Sequence, residues 1–388
     1  MYKESMRQTW VEIDLSALDH NIKEIKRVIG NNEIIGVVKA DAYGHGSVRC
    51  AEVLRDNGVK RFAVATIEEA LELREAGFNE SILILGLVPE DCTDIIIEQN
   101  LTIVIGSLDR AKKKSEIAMN KGAVIDCFIA IDSGMGRIGY RIETPLEKEF
   151  ARTEIEEIDE LEGLRINGMV SHFATSDEAD STYTNKQLSL FNDFYEELAG
   201  CGINVPMLCI ANSAAIMDYP KTHFDAVRPG IILYGCYPSE EVDKTRLDLK
   251  LVMSVKAYIT HIKTVPAGTS ISYGRRFIAD RESKIATISI GYADGYSRTL
   301  TGKAEVLVHG HRVPVVGSIC MDQCMIDVTD VSGVAAGDEV VIMGRSGDDE
   351  ISAAGKIGTI NYEILCDFGM RLHKIYIDNA DGDGNTAN

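Results

Sequence analysis

Between residues 15 and 235 the chain repeats one alternation. A short apolar, β-branched run is followed by a longer stretch of helical periodicity, often closed by glycine. The runs are "EIIGVV" (33–38), "FAVAT" (62–66), "ILILG" (82–86), "LTIVI" (101–105), "AVIDCFIAID" (123–132), "LRINGMVS" (164–171), "PMLCIA" (206–211) and "DAVRP" (225–229). Segments such as "TIEEALELREAG" and "YTNKQLSLFNDFYEELAG" lie between them, charged on one face. Near-continuous apolar strands require a parallel sheet covered on both faces. Eight such units in about 220 residues have the size of a closed (β/α)8 TIM barrel, although an open doubly wound sheet satisfies the same spacing.

After about residue 245 the period changes to two. "LVMSVKAYITHIKTV", "KIATISIGYADG", "KAEVLVHGHRVPVVG", "CMIDVTDV" and "GDEVVIMG" alternate between glycine and proline turns, with a short helix around "SAAGKIGTINYEILC". The boundary falls near "PSEEVDKTR". The expected division is a ligand-binding α/β barrel over 12–245 and a mostly-β domain over 246–380. Residues 1–11 are expected to pack on the β-domain, and 381–388 to form a disordered tail.

A formal charge of -20 argues against nucleic acid or an anionic membrane as partner, since both require basic surface. The start "MYKESMRQTW" lacks the apolar core of a signal peptide, and no apolar run is long enough to span a bilayer. Nine scattered cysteines without paired zinc spacing read as free thiols in a reducing cytoplasm. His309 and His311 alternate along a strand and would face one side, but a third metal ligand is missing. "DEAD" (177–180) has no accompanying phosphate loop, and "GYADGYSR" lacks the ordered oxygen ligands of a calcium loop.

A barrel places its active site where strands end and helices begin. Lys39 ends the first strand in "VVKADAYGHG", and Asp132 and Arg137 follow the fifth in "DSGMGRIG". His172 ends the sixth, Asn212 and Ser213 follow the seventh, and Arg228, Gly230 and Ile231 end the eighth. Each alone is an ordinary wet strand end, and His172 could simply cap a helix. Together, "NS" and "RPGI" form a candidate phosphate cup of backbone N–H groups and one hydroxyl. Facing a lone lysine, that cup fits a pyridoxal 5'-phosphate Schiff base, with an aldolase-like barrel as rival.

"VVKADAYGHG" closely resembles the cofactor motif of the alanine racemases. The resemblance continues through "DSGMGRIG", "SHFATSDEAD", "ANSAAIMD", "VRPGIILYG", "ISYGRRF", "IGYADGYSR", "GSICMDQCMIDVT" and "TINYEIL", in the family's order over nearly the whole chain. It implies a fold-type III barrel with a β-domain, forming a head-to-tail homodimer whose active sites each receive residues from the partner. It implies Lys39 as the Schiff-base lysine, and Tyr43, Ser213, Gly230, Ile231 and Tyr362 around the phosphate. Arg228 would face the pyridine nitrogen, His172 would sit beside the second base, and Arg137 near the phenolic oxygen. Tyr273 would be the second base, and Met321 a backbone contact for the substrate carboxylate. On spacing alone, Tyr273 and Met321 would be an ordinary β-domain tyrosine and core methionine.

Racemisation removes a proton from one face of a flat carbanion and returns one to the other, so two bases suffice. Lys39 and Tyr273 both have ordinary pKa values near 10, so burial or neighbouring cations must lower at least one. An arginine at the pyridine nitrogen leaves that nitrogen unprotonated and the electron sink weak, which argues against a fold-type III decarboxylase. A non-catalytic cofactor carrier would lack the β-domain. A serine or broad-specificity racemase is the nearer alternative, and Tyr362, where serine-preferring relatives tend to have asparagine, favours alanine. Two positions depart from the family pattern. Ala130 stands where many members carry a carbamylated lysine that steadies Arg137, and Cys209 stands in place of a histidine that supports Arg228.

Overall fold

The computed structural model describes residues 8–346, 349–351, 358–369 and 371–378. Eight strands form one parallel sheet: β2 (Glu33–Val37), β3 (Arg61–Val64), β4 (Ser81–Ile84), β5 (Thr102–Ile105), β6 (Ile125–Asp132), β7 (Leu164–Val170), β8 (Leu208–Cys209) and β9 (Ala226–Val227). The spatial order β9-β2-β3-β4-β5-β6-β7-β8 follows the sequence and brings the last strand against the first. An open doubly wound sheet is therefore excluded. Between β8 and β9 the Arg228 N–H donates to Ala211 O at 2.9 Å, and the Asp225 carboxylate accepts from Leu208 N at 2.8 Å. The chain belongs to the TIM-barrel class with a strand-rich C-terminal domain. The last two strands are shorter than their apolar runs because Pro206 and Pro229 flank them, and proline cannot donate to a ladder.

Local chemistry sets the helices between these strands. Thr66 and Glu69 form a reciprocal cap on helix Ile67–Glu75. Thr144 and Glu147 do the same for Pro145–Asp159, where proline occupies the first turn.

A second sheet joins β1 (Thr9–Asp14) to β10 (Met253–Val265), β11 (Ser283–Ile288), β12 (Glu305–Val308), β13 (His311–Val316), β14 (Cys324–Asp327), β15 (Glu339–Ser346) and β16 (His373–Ile377). β1 runs antiparallel to β10 and parallel to β16, so the first described strand belongs to this sheet rather than to the barrel. The paired-histidine reading of 309 and 311 fails. His309 sits in the β12–β13 turn with φ +50°, its Nε2 2.9 Å from Asp338, while only His311 enters a strand. Of the expected helix at 352–366, Asn361–Asp367 is helical, and 352–357 lie outside the described residues, as do 1–7 and the 381–388 tail.

The segment after β2 is unusual. Ala40, Asp41, Ala42 and Tyr43 all have φ between +53° and +55°, a left-handed turn built without glycine. Such a conformation costs an L-residue roughly 1–2 kcal/mol.

Asn21, fully buried on helix Leu15–Ile29, fastens the junction between the two sheets. Its amide donates to Leu233 O at 3.0 Å and Lys250 O at 2.8 Å, and accepts from Lys250 N at 2.8 Å. Replacing Asn21 with leucine keeps the volume and strands these backbone groups, so a loss on the order of 3 kcal/mol is expected. Urea unfolding measures it, and a change below about 1 kcal/mol would contradict this account.

Candidate active site

A cavity of about 520 Å³ opens where the barrel strands finish. Lys39, Tyr43, Arg137, His172, Asn212, Ser213, Arg228, Gly230 and Tyr362 all line it. Gly230, Tyr43 and Ser213 meet at one corner. A Cβ on Gly230 would lie 2.6 Å from the Tyr43 hydroxyl oxygen and 3.8 Å from Ser213 Oγ. The Gly230 N–H donates to Ser213 Oγ at 2.9 Å. Tyr362, brought by helix Asn361–Asp367, places its ring centroid 6.0 Å from that of Tyr43. Asn212 caps the short helix Ser213–Asp218, its Oδ1 accepting from Ala215 N and Ser176 Oγ. Ile231 is fully buried at the start of a 3-10 turn, behind the wall rather than in it.

Arg228 is buried, and among the described residues its guanidinium meets no carboxylate. Nη1 donates to Cys209 O at 2.8 Å and Cys209 Sγ at 3.0 Å. Nη2 donates to Ser171 O at 2.6 Å and to His172 Nδ1 at 3.2 Å. Because arginine can only donate, His172 Nδ1 must be an acceptor and its proton sits on Nε2. Asp132 stands outside the main cavity and accepts from Gly134 N and Gly136 N, shaping the loop that carries Arg137.

Tyr273 and Met321 are not in this cavity. Both sit on the β-domain, 71% and 53% exposed.

The family model "Alanine racemase, N-terminal domain" matches residues 13–238, and "Alanine racemase, C-terminal domain" matches 252–376. Alanine racemase 1 of Clostridium acetobutylicum is 50% identical over 379 residues, 97% of each chain. The solved alanine racemase of Clostridium difficile 630 superposes with a TM-score of 0.92 at 40% identity, covering 97% of each chain. The alanine racemase from Bacillus anthracis with bound L-Ala-P gives 0.89 at 38% identity, over 97% of this chain and 96% of that one.

The chain belongs to the alanine racemase family.

In this alanine racemase family member the wall chemistry fits pyridoxal 5'-phosphate. Two hydroxyls, of Tyr43 and Ser213, meet beside a glycine whose missing side chain leaves room, Tyr362 and Lys39 line the same cavity, and among the described residues a buried cation lacks an anionic partner. Burial raises the Tyr43 and Tyr362 phenols, so both remain donors toward an anion. Burial, followed by Arg137, lowers the pKa of Lys39. Burial and the nearby Arg228, Arg137 and Lys39 push His172 down to about 3, so its neutral tautomer persists. Where Cys209 replaces the family's histidine, its sulfur takes the Arg228 hydrogen bond. Where Ala130 replaces the lysine, Arg137 makes no hydrogen bond or ion pair among the described residues.

Cys366, not among the strand-end residues that the sequence singles out, also lines the cavity. It lies four residues after Tyr362 on the same helix, and that spacing was the available signal.

Behind the wall His45 is fully buried and pushed down to about 4, mainly by burial. A neutral histidine buried in the fold stabilises above its unfolded pKa of about 6.5, and that contribution is lost as pH falls toward the folded value. For His45 the loss is on the order of 3 kcal/mol. The urea midpoint is expected to fall between pH 7 and pH 4, and to fall less steeply in a His45→Gln variant; equal slopes would refute the assignment.

Proposed function

We propose that the chain interconverts L- and D-alanine with pyridoxal 5'-phosphate on Lys39, working in the cytoplasm as a head-to-tail homodimer that supplies D-alanine for peptidoglycan. The observation that carries this reading is the meeting, in one cavity, of a lysine with lowered pKa, a hydroxyl-lined corner at Gly230 and a buried arginine without a carboxylate. The family match and the L-Ala-P complex of the Bacillus anthracis relative support it. No helix among the described residues is long and apolar enough to cross a membrane.

When bound, the cofactor supplies an electron sink that makes the Cα–H of alanine acidic. Tyr43, Ser213 and Tyr362 would hold its phosphate beside Gly230, with Ile231 backing that corner and Asn212 holding the Ser213 helix in place. Arg228 would donate to the ring nitrogen and, never losing its proton, could not transfer one there. His172 accepts from Arg228 through Nδ1 and presents Nε2–H. Arg137, which lines the same cavity, would lie near the phenolic oxygen. Lys39, more often neutral at pH 7 than a free lysine, takes or returns the α-proton on one face. On the other face acts Tyr273 of a second copy, with the Met321 backbone of that copy holding the substrate carboxylate. The exposure of both residues supports assigning them to a neighbouring cavity.

The test is proton NMR in D2O with pyridoxal phosphate, offering L-alanine and L-serine separately. Loss of the Cα–H signal, faster with alanine, and formation of the D-isomer are expected. No exchange with either amino acid would overturn the function, and faster exchange with serine would overturn the specificity. Lys39→Ala is expected to abolish turnover. Tyr273→Phe is expected to abolish racemisation while sparing Cα–H exchange of the one enantiomer that Lys39 deprotonates; exchange of L- and D-alanine lost alike, or kept alike, would remove Tyr273 from its role.

A further inference from the structure

The turn that follows Lys39 does not hold itself. Four consecutive non-glycine residues, Ala40 to Tyr43, are left-handed, and such backbone persists only where its surroundings over-determine it. Within the barrel, Glu69 Oε1 accepts from Ala40 N at 2.7 Å. The buried His45 Nδ1–H lies 2.9 Å from Ala42 O and 3.0 Å from Tyr43 O. The remaining support comes from Ser47 within the barrel and from the other domain. Asp41 accepts from Ser47 N through Oδ1 at 2.9 Å, and from Lys374 Nζ of β16 through Oδ2 at 2.6 Å. Gly46, with φ +94°, lies so close to Tyr376 that a Cβ would come within 1.9 Å of its hydroxyl. Gly44, with φ +82°, would place a Cβ 2.5 Å from Leu365 O. β16 and the helix carrying Leu365 thus press on the turn from outside the barrel.

We propose that Lys374, through its ion pair with Asp41, is a positioning residue that sets how Lys39 enters the cavity. This rests on the reading of Lys39 as the cofactor lysine. The pair is partly exposed, with side chains 43% and 20% accessible for Asp41 and Lys374, so its contribution to global stability is small. Its effect falls on geometry. Asp41 is two residues from Lys39 and is itself within the left-handed turn, so releasing its carboxylate frees the backbone from which Lys39 projects. The ion pair also makes the lysine's placement depend on the docking of β16, an element about 330 residues away in the chain.

The test uses full-length protein freed of cofactor and mixed with pyridoxal phosphate. The rate at which Lys39 forms its imine is followed by visible absorption, and borohydride trapping with peptide mapping confirms the site. Lys374→Met is expected to slow capture by about ten- to a hundredfold with little change in Tm, and Lys374→Arg to restore it. Capture unchanged in Lys374→Met, or Lys374→Arg as slow as Lys374→Met, would overturn the proposal. If Lys374→Met does not fold, the isosteric Asp41→Asn carries the same expectation and the same refutation. Capture is read before any amino acid is added, so failure of the parent protein to racemise alanine would refute the proposed function without altering this result.

Discussion

One buried guanidinium joins the last three strands of the barrel. The Arg228 side chain donates to carbonyls at the ends of β7 and β8, and its own backbone N–H closes the seam between β8 and β9. Taking a charge out of water is costly unless its donors are met. Here the acceptors are backbone carbonyls, a thiol sulfur and a neutral imidazole, each of which stands where it does only when the barrel is closed. The residue that faces the cavity is thus also one that fixes its rim. A substitution at Arg228 would disturb chemistry and closure together.

The strands were legible because a parallel barrel buries both faces of each strand, and the unbroken apolar runs record that burial directly. The strand-end residues were legible for a related reason. A lysine, a histidine or an arginine at the end of such a run has to be explained, and Lys39, His172 and Arg228 line the same cavity. What could not be read were features set by distant contacts. Nothing in "ADAY" announces a left-handed turn, since alanine and tyrosine avoid that region, and the contacts from Lys374 and Tyr376 lie far along the chain. His309 and His311 misled because alternation was read through Gly310, which is the turn itself. Cys209 was visible as a departure, but its compensation was not. Only the fold shows that its sulfur reaches the same guanidinium.

The β-domain carries two residues, Tyr273 and Met321, whose proposed roles make sense only away from their own barrel. The Tyr273 loop is exposed yet held. Ser272, with φ +65°, donates to Ser318 O at 2.6 Å, and Ser318 Oγ donates to Tyr273 O at 3.0 Å. An exposed tyrosine on a frayed loop would mean little. On a loop fixed by reciprocal serine bonds, with a strained residue beside it, the exposure is a presented surface.

The charge pattern of the cavity follows from what Arg228 lacks. A carboxylate beside it would neutralise its charge. Instead Cys209 remains a thiol, because burial raises its pKa more than Arg228 lowers it, and His172 is held neutral by burial first and then by the same cation. The full positive charge is therefore directed into the cavity, where, after burial and Arg137, it adds to the lowering of the Lys39 pKa. Cys209 keeps this arrangement by offering the guanidinium a neutral acceptor. The requirement at that position is a lone pair without a charge, and sulfur meets it.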